Sequence, residues 1–241
     1  MIGAVFAHPD DETFGPGGTI ARYVAAGAVC HLYCATDGGA GRTSGVTVDS
    51  SGGLARVRRT ELLAAARRLG IASVRTPGHE DGALARVDAD ALVGEVVDFL
   101  REHRPEVVIT FGPEGARNAH RDHRAISRAA SAAFFLAGLP TAYPEQLAGG
   151  RAPHAPRRLY YVSWPPPAPG DPLPAHGVPA TARVAVRAFL TVKREAFLLH
   201  ATQREHLARL ERAIFTEDEL FAFAAGAPQP APVVDDLFAG L

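Results

Sequence analysis

The sequence predicts an α/β fold: a Rossmann-like, mainly parallel sheet with helices on both faces and a metal site at the carboxyl edge of its strands. Three observations carry this. Short apolar runs at residues 2–7, 29–35, 71–76 and 106–110 alternate with stretches of helical periodicity, in the order β-α-β-α-β-α-β-α. Proline, glycine and small polar residues interrupt the chain after each run. Chemistry-bearing residues collect at two of these breaks, as Ala7-His8-Pro9-Asp10-Asp11-Glu12 after the first run and Ala119-His120-Arg121-Asp122-His123 after the fourth. In open α/β sheets, ligands bind beyond the carboxyl ends of the strands.

The first strand, 2–7, must end at Pro9, which has no N–H to give to a sheet. Pro16-Gly17-Gly18 opens an Ala-rich helix that Gly27 closes. The second strand, 29–35, carries both cysteines, Cys30 and Cys34. At strand rise they are about 13 Å apart, too far for a disulfide, and read as buried free thiols. A glycine-rich loop follows from 37 to 53, either a cover for a substrate or a mobile surface loop. No Gly-Lys-Ser/Thr follows its glycines, so it is not a P-loop.

An amphipathic helix spans 54–69 with Leu54, Val57, Leu62, Ala65, Ala66 and Leu69 inward, and Gly70 ends it. After the third strand, 71–76, Pro77 to Gly82 form a loop at a carboxyl edge. Asp88 caps a helix that runs to His103 on Leu92, Val93, Val96, Val97 and Leu100. The fourth strand, 106–110, turns through Phe111–Gly115 toward the second motif, and a helix covers 121–137. If the first and fourth strands are neighbours, the two motifs share a switch point of the sheet.

Residues 140–180 hold eleven of the nineteen prolines, so the stretch reads as an irregular insertion. Its exceptions are a strand at 158–163 and an extended Trp164-Pro165-Pro166-Pro167. A long helix is expected over 188–214, with Phe189, Val192, Ala196, Leu199, Gln203, Leu207 and Leu210 on its buried stripe. A short helix near Glu217–Phe223 and a surface tail at 226–241 complete a single domain, 1–241.

Lys+Arg 25 against Asp+Glu 26 leaves a net charge of -1, with no basic field for nucleic acid or an anionic membrane. Hydrophobic residues at 47% and charged residues at 21% are ordinary for a folded globular chain. No leader pattern precedes the first motif, and no apolar run reaches the length of a membrane span, so a cytoplasmic protein is expected.

A hydrolytic metal centre needs about three protein ligands, a position for water, a base, and an acid near the developing oxyanion. His8, Asp11 and His123 suit the ligand role. Asp10 suits the base, His120 the oxyanion stabiliser and acid, and Asp122 can hold an imidazole in one tautomer. Two aspartates after a strand also suit a helix cap, and histidines at a helix start are often solvated. Their joint occurrence at two carboxyl ends is what favours a metal centre.

Ala-His-Pro-Asp-Asp-Glu after an N-terminal strand, with a later His-x-Asp-His, resembles the zinc-dependent N-deacetylases of the PIG-L/LmbE-like family. The order of elements agrees through about residue 137. Members of the family remove acetyl groups from N-acetylglucosamine-containing molecules, and the resemblance implies a small acetylated amino sugar as substrate, conjugates of low-molecular-weight thiol biosynthesis included. It implies His8, Asp11 and His123 as ligands of Zn²⁺, with Fe²⁺ also fitting such donors. It makes Asp10 the base and His120 the stabiliser or acid.

Arg58-x-x-Glu61 and Asp81-Gly82 are similar to positions where the family binds sugar hydroxyls, although a helix ion pair and a turn aspartate would look the same. His200-x-x-Gln203 resembles a late family pattern and brings Gln203 toward the substrate; a core His/Gln pair is the alternative. Ala119 and Arg121 stand where the family has Gly and Pro, and Asn118 where some relatives have tyrosine. The substrate could therefore be anionic or a non-sugar amide. The competing functions are a zinc amidase acting on a thiol conjugate or another acylated amide, and a non-catalytic sugar-binding module. The Pro-rich segment offers surface for a homo-oligomer.

Overall fold

The computed structural model describes residues 1–49, 51–165, 177–206, 211 and 214–241. The elements, in order, are β1 (Ile2–Phe6), α1 (Asp11–Phe14), α2 (Gly17–Ala25), β2 (Cys30–Cys34), α3 (Ser51–Leu69), β3 (Ser73–Arg75), α4 (Ala89–His103), β4 (Val107–Phe111), α5 (Arg121–Leu136), α6 (Pro144–Ala148), β5 (Arg158–Ser163), β6 (Ala182–Ala185), α7 (Leu190–Leu199) and β7 (Asp218–Gly226). The sheet order is β3-β2-β1-β4-β5-β7-β6. β1/β4, β2/β3 and β4/β5 are parallel, and β5/β7 is antiparallel. The expected mainly parallel α/β fold is therefore present, and through residue 137 each expected element lies within a few residues of its place.

Two compact units divide the chain: 1–5, 85–184 and 220–241 form one, and 6–84 with 185–219 form the other. In the first unit, Ile2, Gly3 and Ala4 of β1 face Val107, Val108 and Ile109 of β4 in parallel register. The first and fourth strands are neighbours, as the switch-point argument requires. All five residues of β4 are buried, which is why it reads as an apolar run broken only by Thr110. Asp88 Oδ1 accepts from Ala91 N at 2.8 Å and caps α4.

The Pro-rich stretch carries α6, β5 and the approach to β6. Pro166 and Pro167 of the expected extended segment lie outside the described residues. The final residues are docked where a surface tail was expected: Val234 and Leu237 are buried. Arg158, itself buried, donates to the carbonyls of Ala227, Pro228 and Leu237, giving three backbone acceptors a charged donor.

In the second unit, the end of β2 pairs with the residues that follow β1, Ala35 N to Phe6 O at 2.9 Å and Thr36 N to Ala7 O at 2.8 Å. Cys30 and Cys34 are buried and free. Three expectations for the later chain are corrected. The helix expected over 188–214 stops after Leu199, where His200 takes φ -80° and ψ 67° and a 3-10 turn, Ala201–Gln203, follows. Contacts of His200 and Thr202 with Glu12 and Glu61 draw this segment out of the helix.

The buried side of α7 is Lys193, Ala196 and Phe197; Leu199 is exposed. The stripe is turned because Lys193 must meet a buried carboxylate, Glu219. Leu207 and Leu210 lie outside the described residues. The short helix expected near Glu217–Phe223 is the strand β7, one of those short apolar runs that periodicity alone does not assign. No helix among the described residues is long and apolar enough to cross a membrane.

Candidate active site

The first motif occupies the turn where the chain leaves β1. Asp11 fastens this turn: its Oδ2 accepts from Ala7 N at 3.2 Å and His8 N at 2.8 Å. Asp10 stands at φ 121° and ψ -24°. A residue with a Cβ enters that region at a cost of about 1–3 kcal/mol, sustained only by its surroundings. Its side chain makes no cap bond to α1, so the helix-cap alternative does not hold for Asp10. Its Oδ2 meets Arg58 Nη2 at 3.2 Å instead. Burial pushes the Asp10 carboxyl up to about 7, with Arg58 opposing and Asp11 adding to the rise.

His8 Nε2 lies 3.2 Å from Asp81 Oδ1, and His8 Nδ1 lies 3.6 Å from Asp11 Oδ2. A carboxylate oxygen only accepts, so Nε2 carries the proton shared with Asp81 and neutral His8 has its lone pair on Nδ1. A nitrogen lone pair and a carboxylate oxygen at this separation suit one cation between them, since tetrahedral ligands at zinc are about 3.3 Å apart. Burial would raise the Asp81 carboxyl; the hydrogen bond from His8 and the charges of His8 and Arg58 outweigh it and hold Asp81 below its ordinary value. The arrangement is a carboxylate holding the far nitrogen of a candidate ligand.

The second motif follows β4 and opens α5. His123 Nδ1 lies 3.2 Å from Gly115 O. The carbonyl can only accept, so the His123 lone pair is on Nε2, the tautomer a metal ligand requires. Its ring stacks on Phe111, 4.2 Å between centroids. His120 has the opposite arrangement. Its Nδ1 accepts from Asp122 N at 3.2 Å as the N-cap of α5. Neutral His120 therefore carries its proton on Nε2, as a donor. Asp122 is buried, and its backbone N–H sets this tautomer. Asn118 Oδ1 accepts from His120 N at 3.3 Å, and Arg121 is exposed. His8 Nδ1 beside Asp11 Oδ2 in one unit, and the Nε2 lone pair of His123 in the other, are thus donors of the kind a divalent ion takes, while His120 carries an Nε2–H.

Of the residues expected at sugar hydroxyls, Arg58 and Gln203 are buried and Asp81 is half-buried. Arg58 donates to Pro9 O at 2.5 Å and Gly38 O at 2.8 Å besides Asp10. Asp81 Oδ2 accepts from Ala40 N at 3.1 Å. Gln203 Nε2 donates to Arg42 O at 2.9 Å. With Glu205 N on Ser44 Oγ, these bonds pin the glycine-rich loop at several points. Glu61 accepts from Thr202 N and Oγ1 in the 3-10 turn that also carries Gln203.

Two buried pairs were not legible in advance. His200 Nε2 meets Glu12 Oε1 at 2.7 Å. Burial opposes the imidazolium, but Glu12 and then Asp10 outweigh it and raise the His200 pKa. Lys193 Nζ meets Glu219 Oε1 at 2.6 Å and also Gly15 O and Ile214 O. One signal was present, since Lys193 is the sole lysine in a chain otherwise supplied with arginine.

A family model described as PIG-L, GlcNAc-PI de-N-acetylase, matches residues 4–134. A 1D-myo-inositol 2-acetamido-2-deoxy-alpha-D-glucopyranoside deacetylase of Rhodococcus jostii RHA1 is 33% identical over 239 residues, covering 83% of this chain and 80% of its own. Among solved structures, an N,N'-diacetylchitobiose deacetylase of Pyrococcus horikoshii superposes with TM-score 0.73 at 21% identity, over 92% of this chain and 83% of its own. A 4-carboxy-2-hydroxymuconate hydratase of Pseudomonas putida KT2440 has TM-score 0.68 at 18% identity, over 96% and 99%. At these identities the structures establish the fold, and the fold alone does not select the reaction.

Proposed function

The chain belongs to the PIG-L family of de-N-acetylases, and from that premise we propose that it is a metal-dependent hydrolase removing the acetyl group from an N-acetylglucosamine conjugate. Residues 1–241 work as one deacetylase domain in this reading. The observation that carries it is the opposed tautomers of the second motif, His123 as electron-pair donor and His120 as proton donor. A binding module needs no such division; amide hydrolysis does.

We propose His8, Asp11 and His123 as the metal ligands; Zn²⁺ suits this donor set, and Fe²⁺ fits it as well. When bound, the ion supplies Lewis-acid polarisation of the acetamide carbonyl and makes a water more acidic. Asp10 takes the proton of the attacking water, a task suited to a carboxyl held near neutrality. Arg58 orients Asp10 through its 3.2 Å contact, and Asp81 orients His8. His120 Nε2–H donates a hydrogen bond to the developing oxyanion, and the proton that Asp10 takes from the water passes to the departing amine. Asp122 supports His120 by fixing its tautomer.

Arg58, Asp81 and Gln203 are retained as neighbours of the sugar hydroxyls. The similarity to the Rhodococcus deacetylase supports a GlcNAc–inositol substrate, the type of sugar conjugate expected in thiol biosynthesis. A small polar substrate and two free buried thiols suit a cytoplasmic enzyme, and a homo-oligomer is compatible with this proposal. The test is acetate release from GlcNAc–inositol, GlcNAc–malate and simple N-acetylglucosaminides by metal-loaded protein. Release from a conjugate, abolished by Asp10→Asn with metal retained, is the expected result. Folded, metal-loaded protein that releases acetate from none of them contradicts the proposal.

A further inference from the structure

The unusual backbone of Asp10 is held from both sides. On one side, its carbonyl accepts from Thr13 N at 2.9 Å, Thr13 Oγ1 at 2.7 Å and Phe14 N at 3.0 Å. On the other, its N–H donates to Glu12 Oε2 at 3.0 Å. Glu12 is fully buried, and its second oxygen, Oε1, accepts from His200 Nε2 at 2.7 Å across 188 residues of sequence. His200 is also fully buried, and α7 ends so that it can make this contact. The other ring nitrogen, Nδ1, has no hydrogen-bond partner among the described residues, so the ring's hydrogen bond serves Glu12.

We infer that the Glu12–His200 pair positions the general base: it holds the Asp10 peptide in its left-handed geometry and so aims the Asp10 carboxylate. The inference rests on the deacetylase reading for the role of Asp10. Glu12 and His200 touch no reacting atom in this scheme and are positioning residues. Arg58 holds the side chain of Asp10 from one direction, and Glu12 fixes the peptide from which that side chain projects. Release of the peptide lets φ relax toward the common negative range, which displaces the carboxylate while leaving the side chains of His8 and Asp11 in place. Loss of aim at a reacting group costs turnover more than substrate binding.

The experiment joins kinetics to amide exchange on uniformly ¹⁵N-labelled full-length protein. Glu12→Ala is expected to lower kcat about 100-fold, the scale of a misplaced reacting group, with KM and metal content unchanged. The Asp10 amide should exchange about tenfold faster or more than in the parent. Glu12→Gln still offers an oxygen to Asp10 N–H and an N–H to a neutral His200 ring, and it should recover most of both losses. His200→Ala should follow Glu12→Ala.

Folded Glu12→Ala protein with parental kcat, or with an Asp10 amide as protected as the parent's, overturns the inference. So does a Glu12→Gln variant no better than Glu12→Ala. Should Glu12→Ala fail to fold, the parent and Glu12→Gln decide: an Asp10 amide exchanging like exposed loop amides also overturns it. Failure of the parent to release acetate from any acetylated amino sugar would refute the deacetylase reading instead, and the amide measurement would still decide the brace.

Discussion

Lys193 and Glu219 form a buried ion pair, Nζ to Oε1 at 2.6 Å, beneath the start of α2. Glu219 accepts in turn from Gly18 N at 2.9 Å and Thr19 N at 2.7 Å, which satisfies donors that the first turn of a helix leaves open. The ammonium also reaches Gly15 O, directly after α1. The pair therefore joins α7, β7 and the turn that follows the first motif. Removing one partner strands the other charge in the interior, at a cost of about 3–5 kcal/mol. Lys193→Met should show that loss in urea denaturation, and Lys193→Met with Glu219→Leu should recover part of it. A single variant as stable as the parent would contradict the role given to the pair.

Asp81 holds His8 by its Nε2. Loss of such an outer carboxylate weakens metal affinity about 10–100-fold. Asp81→Ala is expected to fall in that range in competition with a chromophoric chelator, and Asp81→Asn, which keeps an acceptor oxygen, should lose less. Equal affinity in Asp81→Ala and the parent would leave Asp81 as a substrate contact alone.

The tautomers of the second motif separate two histidines three residues apart. His120→Ala should keep the metal and lose about 10²–10³ in kcat, the range for removing one oxyanion donor. His123→Ala should lose the metal. The reverse pattern, with metal lost on removing His120, would place His120 among the ligands.

Burial pushes the Cys30 thiol up to about 12 and the Cys34 thiol well above its ordinary value. Neither should react with a thiol probe at pH 8 in native protein, and both should react after unfolding. The folded pKa of Cys30 exceeds the unfolded one, so the folded state keeps its proton longer. Its contribution to stability is complete below about pH 9 and declines as pH rises toward 12. Rapid labelling of native protein would contradict this burial.

The strands and helices through residue 137 were legible because each is a local pattern: an apolar run, a 3.6-residue period, Asp88 at a cap, Gly27 and Gly70 at ends. The site motifs stood out as local sequences, each a cluster of imidazoles and carboxylates in the chain that follows a strand. The later chain was less so. Helical periodicity continued past Leu199, but Glu12 and Glu61 act on His200 and Thr202 from far away in sequence. The apolar run in β7 suits a helix or a strand until β5 supplies a partner. That Arg58 and Asp81 also hold Asp10, His8 and the glycine-rich loop was not legible, because nothing local in the sequence shows those contacts.

In the proposed reaction, His8 and Asp11 from the first motif and His123 from the second serve one metal ion. Metal titration of apoprotein, with His8→Ala, His123→Ala and the double variant beside the parent, tests it most directly. A single tight equivalent is expected in the parent, with its loss in either single variant and no further loss in the double. A His123→Ala protein that still binds the full equivalent as tightly as the parent would contradict it.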